Sequence, residues 1–227
     1  MVQALGPEAG RIGIVHVHSE YSHDGRDTLG HLARLSAQRG IGFVGLTDHA
    51  EDLDASRFAE YLAHCAEASR LGARLIPGLE FRFAGYPGLH LLAFGLGRWI
   101  EPRTPAEFLE QTRGLAGFTM AAHPVLWDYQ LPAEVRASID AIEVWNAAYN
   151  TRWLPDPRAI RLLQHIRRRR PEVVGVAGLD QHDSRNDRET RVILTGSHPE
   201  NPTAELRAGR FRTRGRTLGF AARGGVG

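Results

Sequence analysis

Short apolar runs, many of them rich in β-branched residues, alternate with longer amphipathic stretches along this chain of 227 residues. Apolar runs of this length, bounded by Gly, Pro or polar residues, predict β-strands. The predicted strands are Ile12–Val17, Ile41–Leu46, Arg74–Leu79, Leu89–Phe94, Phe118–Ala122, Ala141–Val144 and Val173–Leu179, with Arg191–Leu194 as a candidate eighth. Few polar residues alternate with the apolar ones, which is typical of strands buried on both faces in the parallel sheet of an α/β protein.

The amphipathic stretches between the strands predict helices. Thr28 is suited to an N-cap, Gly40 stands where a helix C-terminus favours a left-handed residue, and Thr104 followed by Pro105 is a typical helix start. The predicted helices are Thr28–Arg39, Ala55–Leu71, Pro105–Arg113, Pro132–Ala137, Pro157–Arg170 and Thr203–Ala208.

About seven strand-helix repeats favour a barrel over an open sheet. We therefore predict an α/β fold, a distorted TIM-like (β/α)7 barrel formed by residues 1–227 as a single domain. Its active site is expected at the C-terminal ends of the strands. From Leu206 onward the chain has no acidic residue and ends in a glycine-rich stretch, so 206–227 is expected to be a partly disordered basic tail. Its arginines are Arg207, Arg210, Arg212, Arg214, Arg216 and Arg223.

The amino-acid composition indicates the cellular compartment in which the protein is expected. The net charge of +2 and the 24% of charged residues are ordinary for a soluble globular protein. The longest apolar run is far shorter than the ~18 residues of a membrane span, and Met1–Gly10 lacks the features of a signal peptide. The only cysteine, Cys65, lies on the apolar face of a predicted helix and is expected to pack in the core. These features favour a cytoplasmic location.

All 28 lysine and arginine positions are arginines, so the chain contains no lysine. Schiff-base chemistry and the phosphate-binding lysine of a P-loop are therefore excluded. A carbamylated lysine bridging two metals is excluded as well, so a bridging ligand would have to be a carboxylate. Aromatic residues make up 8% of the chain without an interleaved basic-aromatic stripe, which argues against a stable nucleic-acid partner.

Metal-ligand residue types recur beside the ends of the predicted strands. His16 and His18 alternate on the first strand, so both imidazoles point to one face. The other candidates are Asp48 and His49, Glu80, His90, His123, and Asp180 with His182; His90 alone stands at the start of its run. The C-terminal ends of parallel strands meet at one face of a barrel, so these residues together predict a metal site.

The motifs that carry these residues resemble the polymerase and histidinol phosphatase (PHP) family. They are HVHSEYSHDG from His16, TDH ending at His49, PGLE ending at Glu80, AHP around His123 and DQH ending at His182. The resemblance runs in order from about residue 12 to residue 183. It implies a distorted (β/α)7 barrel with three divalent ions, usually zinc, manganese or iron, that hydrolyses phosphate esters.

The resemblance also implies a set of ligands. His16, His18, Glu80 and Asp180 would hold the first metal, and Glu80 would bridge to a second metal also bound by His90 and His123. Asp24, His49 and His182 would hold the third. Two alternatives stay open: His23 replaces Asp24, or the second metal uses His123 with water instead of His90. The predicted catalytic residues are Glu80, Asp180, His182 and Asp48.

Asp48 is either a partner that fixes the tautomer of an imidazole ligand or a turn-capping acid. Glu143, in an apolar strand, is either a buried pair partner, which we favour, or a reserve ligand. Arg26, Arg82 and Arg185 follow Asp24, Glu80 and His182 by two or three residues. At least one of these arginines is expected to contact a phosphate group.

These features together predict a metal-dependent phosphoesterase that acts on a small phosphomonoester, either histidinol phosphate or a nucleotide-like phosphate. In this hypothesis, hydroxide held by two metals attacks phosphorus in line without a protein nucleophile. One alternative is a nuclease or phosphodiesterase acting on oligonucleotide ends. The other is a catalytically silent, metal-stabilised binding module, against which the complete ligand set argues.

Overall fold

The computed structural model describes residues 9–149, 153–186, 190–215, 218–223 and 225–226. Each of the eight predicted strands is found within a few residues of its expected bounds, and the third is divided at Pro77. The described strands are β1 (Ile12–Val17), β2 (Phe43–Leu46), β3 (Asp48–His49), β4 (Arg74–Ile76), β5 (Gly78–Arg82), β6 (His90–Phe94), β7 (Phe118–Ala121), β8 (Ala141–Asn146), β9 (Val174–Gly178), β10 (Arg191–Leu194), β11 (Phe211–Arg214), β12 (Gly219–Ala221) and β13 (Gly225–Val226).

The helices also follow the sequence pattern, because polar residues cap them where expected. Thr28 accepts a hydrogen bond from the backbone N–H of His31, and Thr104 accepts one from Glu107. Gly40 has a φ of 71° just beyond the first helix. The helices are α1 (Leu29–Gln38), α2 (Ala55–Ala68), α3 (Pro105–Thr112), α4 (Ala133–Ser138), α5 (Pro157–Arg167) and α6 (Pro202–Arg207). None of those helices is long and apolar enough to cross a membrane.

The described strands form two sheets of mixed direction. One has seven strands in the order β13-β12-β11-β10-β1-β2-β4, and the other has six in the order β3-β5-β6-β7-β8-β9. Strands β1, β2 and β4 are parallel, as are β7, β8 and β9. Strand β6 runs antiparallel to both of its neighbours, β5 and β7. The fold is therefore mixed α/β with parallel segments, and the expectation of a wholly parallel sheet is wrong.

The two sheets adjoin in two places. The chain passes from one sheet to the other between β2 and β3 and again between β4 and β5. The second place is where β9, the edge strand of the second sheet, meets β1 within the first. The N–H of Leu179 donates to the carbonyl of Val15 (3.1 Å), and the N–H of His18 donates to the carbonyl of Gln181 (2.8 Å). The ends of β1 and β9 are therefore held side by side.

The described residues after Leu206 form strands β11, β12 and β13, where a partly disordered tail was expected. Strand β11 pairs antiparallel with β10, and β12 pairs with β11, which extends the first sheet beyond β1. Phe211 and Phe220 are buried. These apolar side chains alternate with the arginines and give the segment a face to bury. Arg216 lies outside the described residues.

One of two buried apolar clusters joins both sheets and lies next to the strand ends that carry the predicted ligands. It includes Val15, Phe43, Leu92, Phe94, Phe118, Met120, Val174 and Val176. On β6, Leu92 and Phe94 belong to this cluster, and His90 has the same alternation, so its side chain points to the same side of the strand. Because β6 is antiparallel, its first residue lies beside the ends of its neighbours. His90 pairs with Arg82 at the end of β5.

Candidate metal centre

The structure brings the side chains of all nine predicted ligands together. The predicted ligands are His16, His18, Asp24, His49, Glu80, His90, His123, Asp180 and His182. Eight of them form three overlapping groups, and within each group the donor atoms lie within 4.8 Å of one another. The ninth, His90, contacts the Glu80 carboxylate through its Nδ1. Groups of imidazoles and carboxylates at such spacing match the donors that zinc, manganese and iron prefer.

The first group contains His16, His18 and Asp180. The Nε2 atoms of the two imidazoles lie 3.4 and 3.5 Å from the same Asp180 oxygen, Oδ1. The register of β1 is irregular between Val15 and Val17, which is where His16 stands. An irregularity of this kind redirects a side chain, and here both imidazoles face Asp180.

The second group surrounds Glu80, whose two carboxylate oxygens face different imidazoles. Oε1 lies 2.5 Å from Nδ1 of His90 and 3.3 Å from Nε2 of His123. Oε2 lies 3.3 Å from Nε2 of His18 and 3.3 Å from Nδ1 of His49. A carboxylate with one oxygen on each side has the geometry that the predicted bridging role requires.

The third group contains Asp24, His49 and His182, together with His18. The Asp24 oxygens lie 3.4 Å from Nε2 of His49 and 3.3 Å from Nε2 of His182. His23, the alternative to Asp24, is bound elsewhere: its Nδ1 lies 2.8 Å from Asp52. The structure therefore places Asp24, and not His23, among the donors.

Unsatisfied histidine nitrogens provide a test of whether the site suits a cation. Among the described residues, eight buried side-chain nitrogen or oxygen atoms have no hydrogen-bond partner, and six of them belong to these histidines. They are Nε2 of His16, His18 and His182, Nδ1 of His123, and both ring nitrogens of His49. Burying such an atom without a partner costs about 1–3 kcal/mol, and coordination to a metal would satisfy one nitrogen of each ring. The residues fit the predicted metals.

Hydrogen bonds to the other ring nitrogen fix the orientation of three imidazoles. Nδ1 of His16 lies 2.9 Å from Glu143, Nδ1 of His18 lies 3.1 Å from the hydroxyl of Ser22, and Nδ1 of His182 lies 3.2 Å from the carbonyl of Asp180. When Nδ1 donates its proton to such an acceptor, Nε2 keeps a free lone pair. In each case Nε2 is the atom that faces the site.

Asp48 combines the two roles that the sequence left open. Its carboxylate accepts hydrogen bonds from the backbone and hydroxyl of Ser19 and from the hydroxyl of Ser22. The Ser22 hydroxyl also accepts the N–H of His49 and lies beside His18. Asp48 therefore holds the loop after β1 and acts on His18 through Ser22. Sequence reasoning missed Ser22, because nothing in the motif distinguishes it from Ser19.

The charges in the centre stabilise one another against the cost of burial. Burial opposes the charged form of His16, but the carboxylates of Asp180 and Glu143 outweigh it and raise the pKa of His16 well above its ordinary value. In the same way, burial is outweighed by the nearby carboxylates of Asp180 and Glu80, which raise the pKa of His18 to about 9. Despite burial, the imidazoles hold the pKa values of Glu80 and Asp180 below their usual range. Both carboxylates are thus ionised at neutral pH, the state that binds a cation.

Two imidazoles at the edge of the centre behave differently. Burial lowers the pKa of His90, and burial together with the nearby charge of His18 lowers the pKa of His182. Both side chains are therefore neutral at pH 7 and can coordinate a metal without first losing a proton.

The three predicted phosphate-binding arginines differ in their surroundings. The Arg82 guanidinium is 48% exposed and lies 3.4 Å from Glu51. Arg26 is exposed, and its backbone N–H donates to the carbonyl of His182, which places its loop beside the third group. Arg185 is held by both oxygens of Asp183, at 3.0 and 2.5 Å. Arg82 and Arg26 are therefore freer than Arg185 to bind an anion.

Tyr149 is a candidate that the sequence analysis missed. Its ring lies 5.0 Å from the ring of His123, and the residue is 47% exposed at the edge of the centre. Burial of part of the ring and the negative charge of Asp180 raise the pKa of its phenol, so Tyr149 is a neutral hydrogen-bond donor. A tyrosine in a loop carries no feature in the sequence that would relate it to this site.

Three of the nine residues have a strained backbone. The φ angles of His16, His123 and Asp180 are 63°, 26° and 50°, in the left-handed region that residues other than glycine rarely adopt. Such strain costs on the order of 1–3 kcal/mol per residue and is concentrated at functional sites.

Comparisons with known proteins relate to the family and the fold of the chain. Residues 15–148, more than half of the chain, match the family model of the PHP domain. Among solved structures, a crystal structure from Bifidobacterium adolescentis, provisionally assigned as a metal-dependent phosphoesterase, has a TM-score of 0.54 and 18% sequence identity. That match covers 75% of this chain and 87% of the other, and at this identity it shows the fold alone. No curated protein matches the sequence. The family match includes all nine candidate ligands except Asp180 and His182, and the chain belongs to the PHP domain family, as its motifs predicted.

Proposed function

We propose that the protein is a metal-dependent phosphoesterase that hydrolyses a small phosphomonoester at the centre described above. Membership of the PHP domain family makes it a hydrolase of phosphoesters. One observation carries the finer proposal, the position of the buried Glu80 carboxylate between imidazoles on both sides. Its oxygens lie within 3.3 Å of His18, His49, His90 and His123.

Three divalent ions, of zinc, manganese or iron, would be held by the three groups. His16, His18, Glu80 and Asp180 would bind one, Glu80 would also bind a second with His90 and His123, and Asp24, His49 and His182 would bind a third. Among the described residues, the donors that face the centre are nitrogen and oxygen atoms. Cys65 is buried in α2 within the apolar core, and burial raises the pKa of its thiol.

The chemistry supplied by these ions would be Lewis acidity and a water of lowered pKa. The side chains do the remaining work. Glu80 and Asp180 stay ionised and hold positive charge in place, while Glu143 and Ser22 aim the imidazoles of His16 and His18. No serine or cysteine nucleophile is needed, so we expect no phosphorylated enzyme.

The exposed side of the centre suits a phosphate monoester. Asp24 and His182 are 42% and 30% exposed, so this edge is open to solvent. Arg82 and Arg26 flank it and would bind phosphate oxygens. The half-exposed ring of Tyr149 would lie against the organic part of the substrate, which is compatible with either histidinol phosphate or a nucleotide-like phosphate.

The two sheets would together form the distorted barrel that the family resemblance implies, as a single domain. The backbone hydrogen bonds between the ends of β1 and β9 support this proposal. In such a barrel the loops that carry the ligands share one mouth. The buried thiol of Cys65 is consistent with a cytoplasmic location.

Activity assays with metals test the proposal. We expect protein loaded with manganese or zinc to hydrolyse an aryl phosphate monoester. We expect a chelator to abolish turnover, because the ions would supply the Lewis acidity and the water of lowered pKa. Activity would be measured by release of the aryl alcohol, with metal content determined by elemental analysis. Restoring the metal to chelated protein is the control.

The same assays distinguish the alternatives. Turnover of a phosphodiester or of oligonucleotide ends, without turnover of the monoester, would favour a nuclease or phosphodiesterase. No turnover by protein that holds its full metal content would leave the catalytically silent binding module.

Replacing Arg82 by alanine tests the phosphate contact. We expect KM for the monoester to rise about tenfold with a smaller change in kcat, because a charge-assisted hydrogen bond contributes about 1.5–3 kcal/mol. Steady-state kinetics would measure both constants. Arg113→Ala, at the end of α3, is the matched control. An unchanged KM in Arg82→Ala would exclude Arg82 as a substrate ligand.

A further inference from the structure

We propose that Glu143 is a positioning residue that orients His16 and His123, and thereby sets the metal affinity of the centre. The proposal rests on the metal site of the proposed function. Glu143 stands on β8, 1% exposed, and it belongs to none of the three groups of candidate ligands. It nevertheless contacts residues of two of those groups.

The Glu143 carboxylate accepts hydrogen bonds on both of its oxygens. Oε1 lies 2.9 Å from Nδ1 of His16. Oε2 accepts the backbone N–H of His123 at 2.6 Å and the side-chain amide of Asn146 at 2.9 Å. A single buried carboxylate thus connects a candidate ligand on β1 with another that follows β7.

Both connected residues depend on support from their surroundings. His16 and His123 both have a positive φ angle, and a strained backbone persists only where its surroundings hold it. Glu143 bonds to the side chain of one and to the backbone of the other. It therefore offsets strain at two ligand positions and holds a proton on Nδ1 of His16, which leaves Nε2 as the nitrogen available to a metal.

Gly178 on β9 leaves the space that this arrangement requires. A Cβ atom at position 178 would lie 1.9 Å from Oε1 of Glu143 and 2.9 Å from Cβ of His16. Neither approach is tolerable, so any side chain larger than hydrogen would displace the carboxylate from His16. The glycine on β9 and the glutamate on β8 together define the position of the imidazole on β1.

Replacing Glu143 by glutamine would break at least one of its hydrogen bonds or change the tautomer of His16. Both oxygens face hydrogen-bond donors, so either orientation of the amide sets its NH2 group against a donor. If the NH2 group faces His16, then Nδ1 must accept and the proton moves to Nε2, the atom that faces the centre. If it faces His123, the backbone N–H loses its partner. Outer hydrogen bonds of this kind typically contribute about 10–100-fold to metal affinity.

The experiment compares Mn²⁺ binding by wild-type protein and Glu143→Gln with titration calorimetry, after removal of metals with a chelator. We expect affinity to fall about 10–100-fold for at least one ion, while circular dichroism shows a folded protein. Histidine ¹H–¹⁵N spectra of Zn²⁺-loaded protein should show a proton on Nδ1 of His16 in the wild type. Glu205→Gln is the matched control, since Glu205 is equally buried but bonds to Arg210; its Mn²⁺ affinity should stay that of the wild type.

A folded Glu143→Gln protein with wild-type Mn²⁺ affinity would overturn the proposal. If that variant does not fold, Glu143→Asp decides: it keeps the charge but is too short to reach both partners, so weaker Mn²⁺ binding supports the proposal and unchanged binding overturns it. These measurements do not depend on turnover. Wild-type protein that binds Mn²⁺ but hydrolyses no phosphoester would refute the proposed function and leave the role of Glu143 intact.

Discussion

Replacing Glu80 by glutamine is expected to remove at least one metal ion and to reduce turnover of the aryl phosphate about a thousandfold or more. The substitution keeps the shape of the side chain but removes a negative charge and replaces one oxygen donor by an NH2 group. That group would face the imidazoles that Glu80 now brings together. A metal contributes several kcal/mol to stabilising charge in the transition state, and each 1.36 kcal/mol corresponds to a factor of ten in rate.

Elemental analysis and initial rates, measured on the same preparation, would test this expectation. Glu205→Gln again serves as the control, because it removes a buried carboxylate from α6 without touching the centre. If Glu80→Gln loses activity but keeps its full metal content, Glu80 contacts the substrate and does not bridge two metal ions. Full metal content with a wild-type rate would contradict the assignment altogether.

The elements of the fold were predictable because they depend on local patterns. Apolar runs mark the strands, and Thr28 and Thr104 cap helices where their side chains can accept an N–H. The direction of a strand could not be predicted in this way. The run of β6 would look the same in either direction, since apolar residues bury equally well in parallel and antiparallel pairs. Its antiparallel course depends on pairing with β5 and β7, which no local pattern encodes.

That course also explains the position of His90. In an all-parallel sheet, a residue at the start of its strand would lie at the end opposite to the other candidates. The antiparallel direction brings His90 beside Glu80 instead. The sequence motif identified the right residue, and the pairing of the strands supplies the physical reason.

The supporting contacts were predictable only in part. The motifs name residues that face the centre, but they do not name the groups behind them. Glu143 and His16 lie 127 positions apart, and their contact follows from the way β8, β9 and β1 meet. Glu143 was nevertheless favoured as a buried pair partner, because a lone carboxylate in an apolar strand must find one. Ser22 and Tyr149 gave no such indication, since a serine or tyrosine in a loop is stable with or without a partner.

Without metal, the protein is expected to lose stability as the pH rises from 6.5 to 9. The pKa of His18 is about 9 in the folded protein, above its ordinary value of 6.5. Protonated His18 therefore contributes stability that is fully present below pH 6.5 and is lost as the pH rises through 9. The loss from His18 alone is up to about 3 kcal/mol, at 1.36 kcal/mol per pKa unit. His16 is shifted in the same direction. Urea unfolding of chelator-treated protein at several pH values would measure the free energy of unfolding.

Metal-loaded protein should lack this decline, because a bound imidazole has already lost its proton. His18→Gln should also flatten the pH dependence of the metal-free protein, whereas His198→Gln, at an exposed position, should leave it unchanged. Equal stability of metal-free wild-type protein at pH 6.5 and pH 9 would show that Asp180 and Glu80 do not hold a proton on His18. If they do hold it, metal binding near pH 7 must release protons. Calorimetry in buffers of different ionisation enthalpy would count them, and affinity for the metal should then rise with pH.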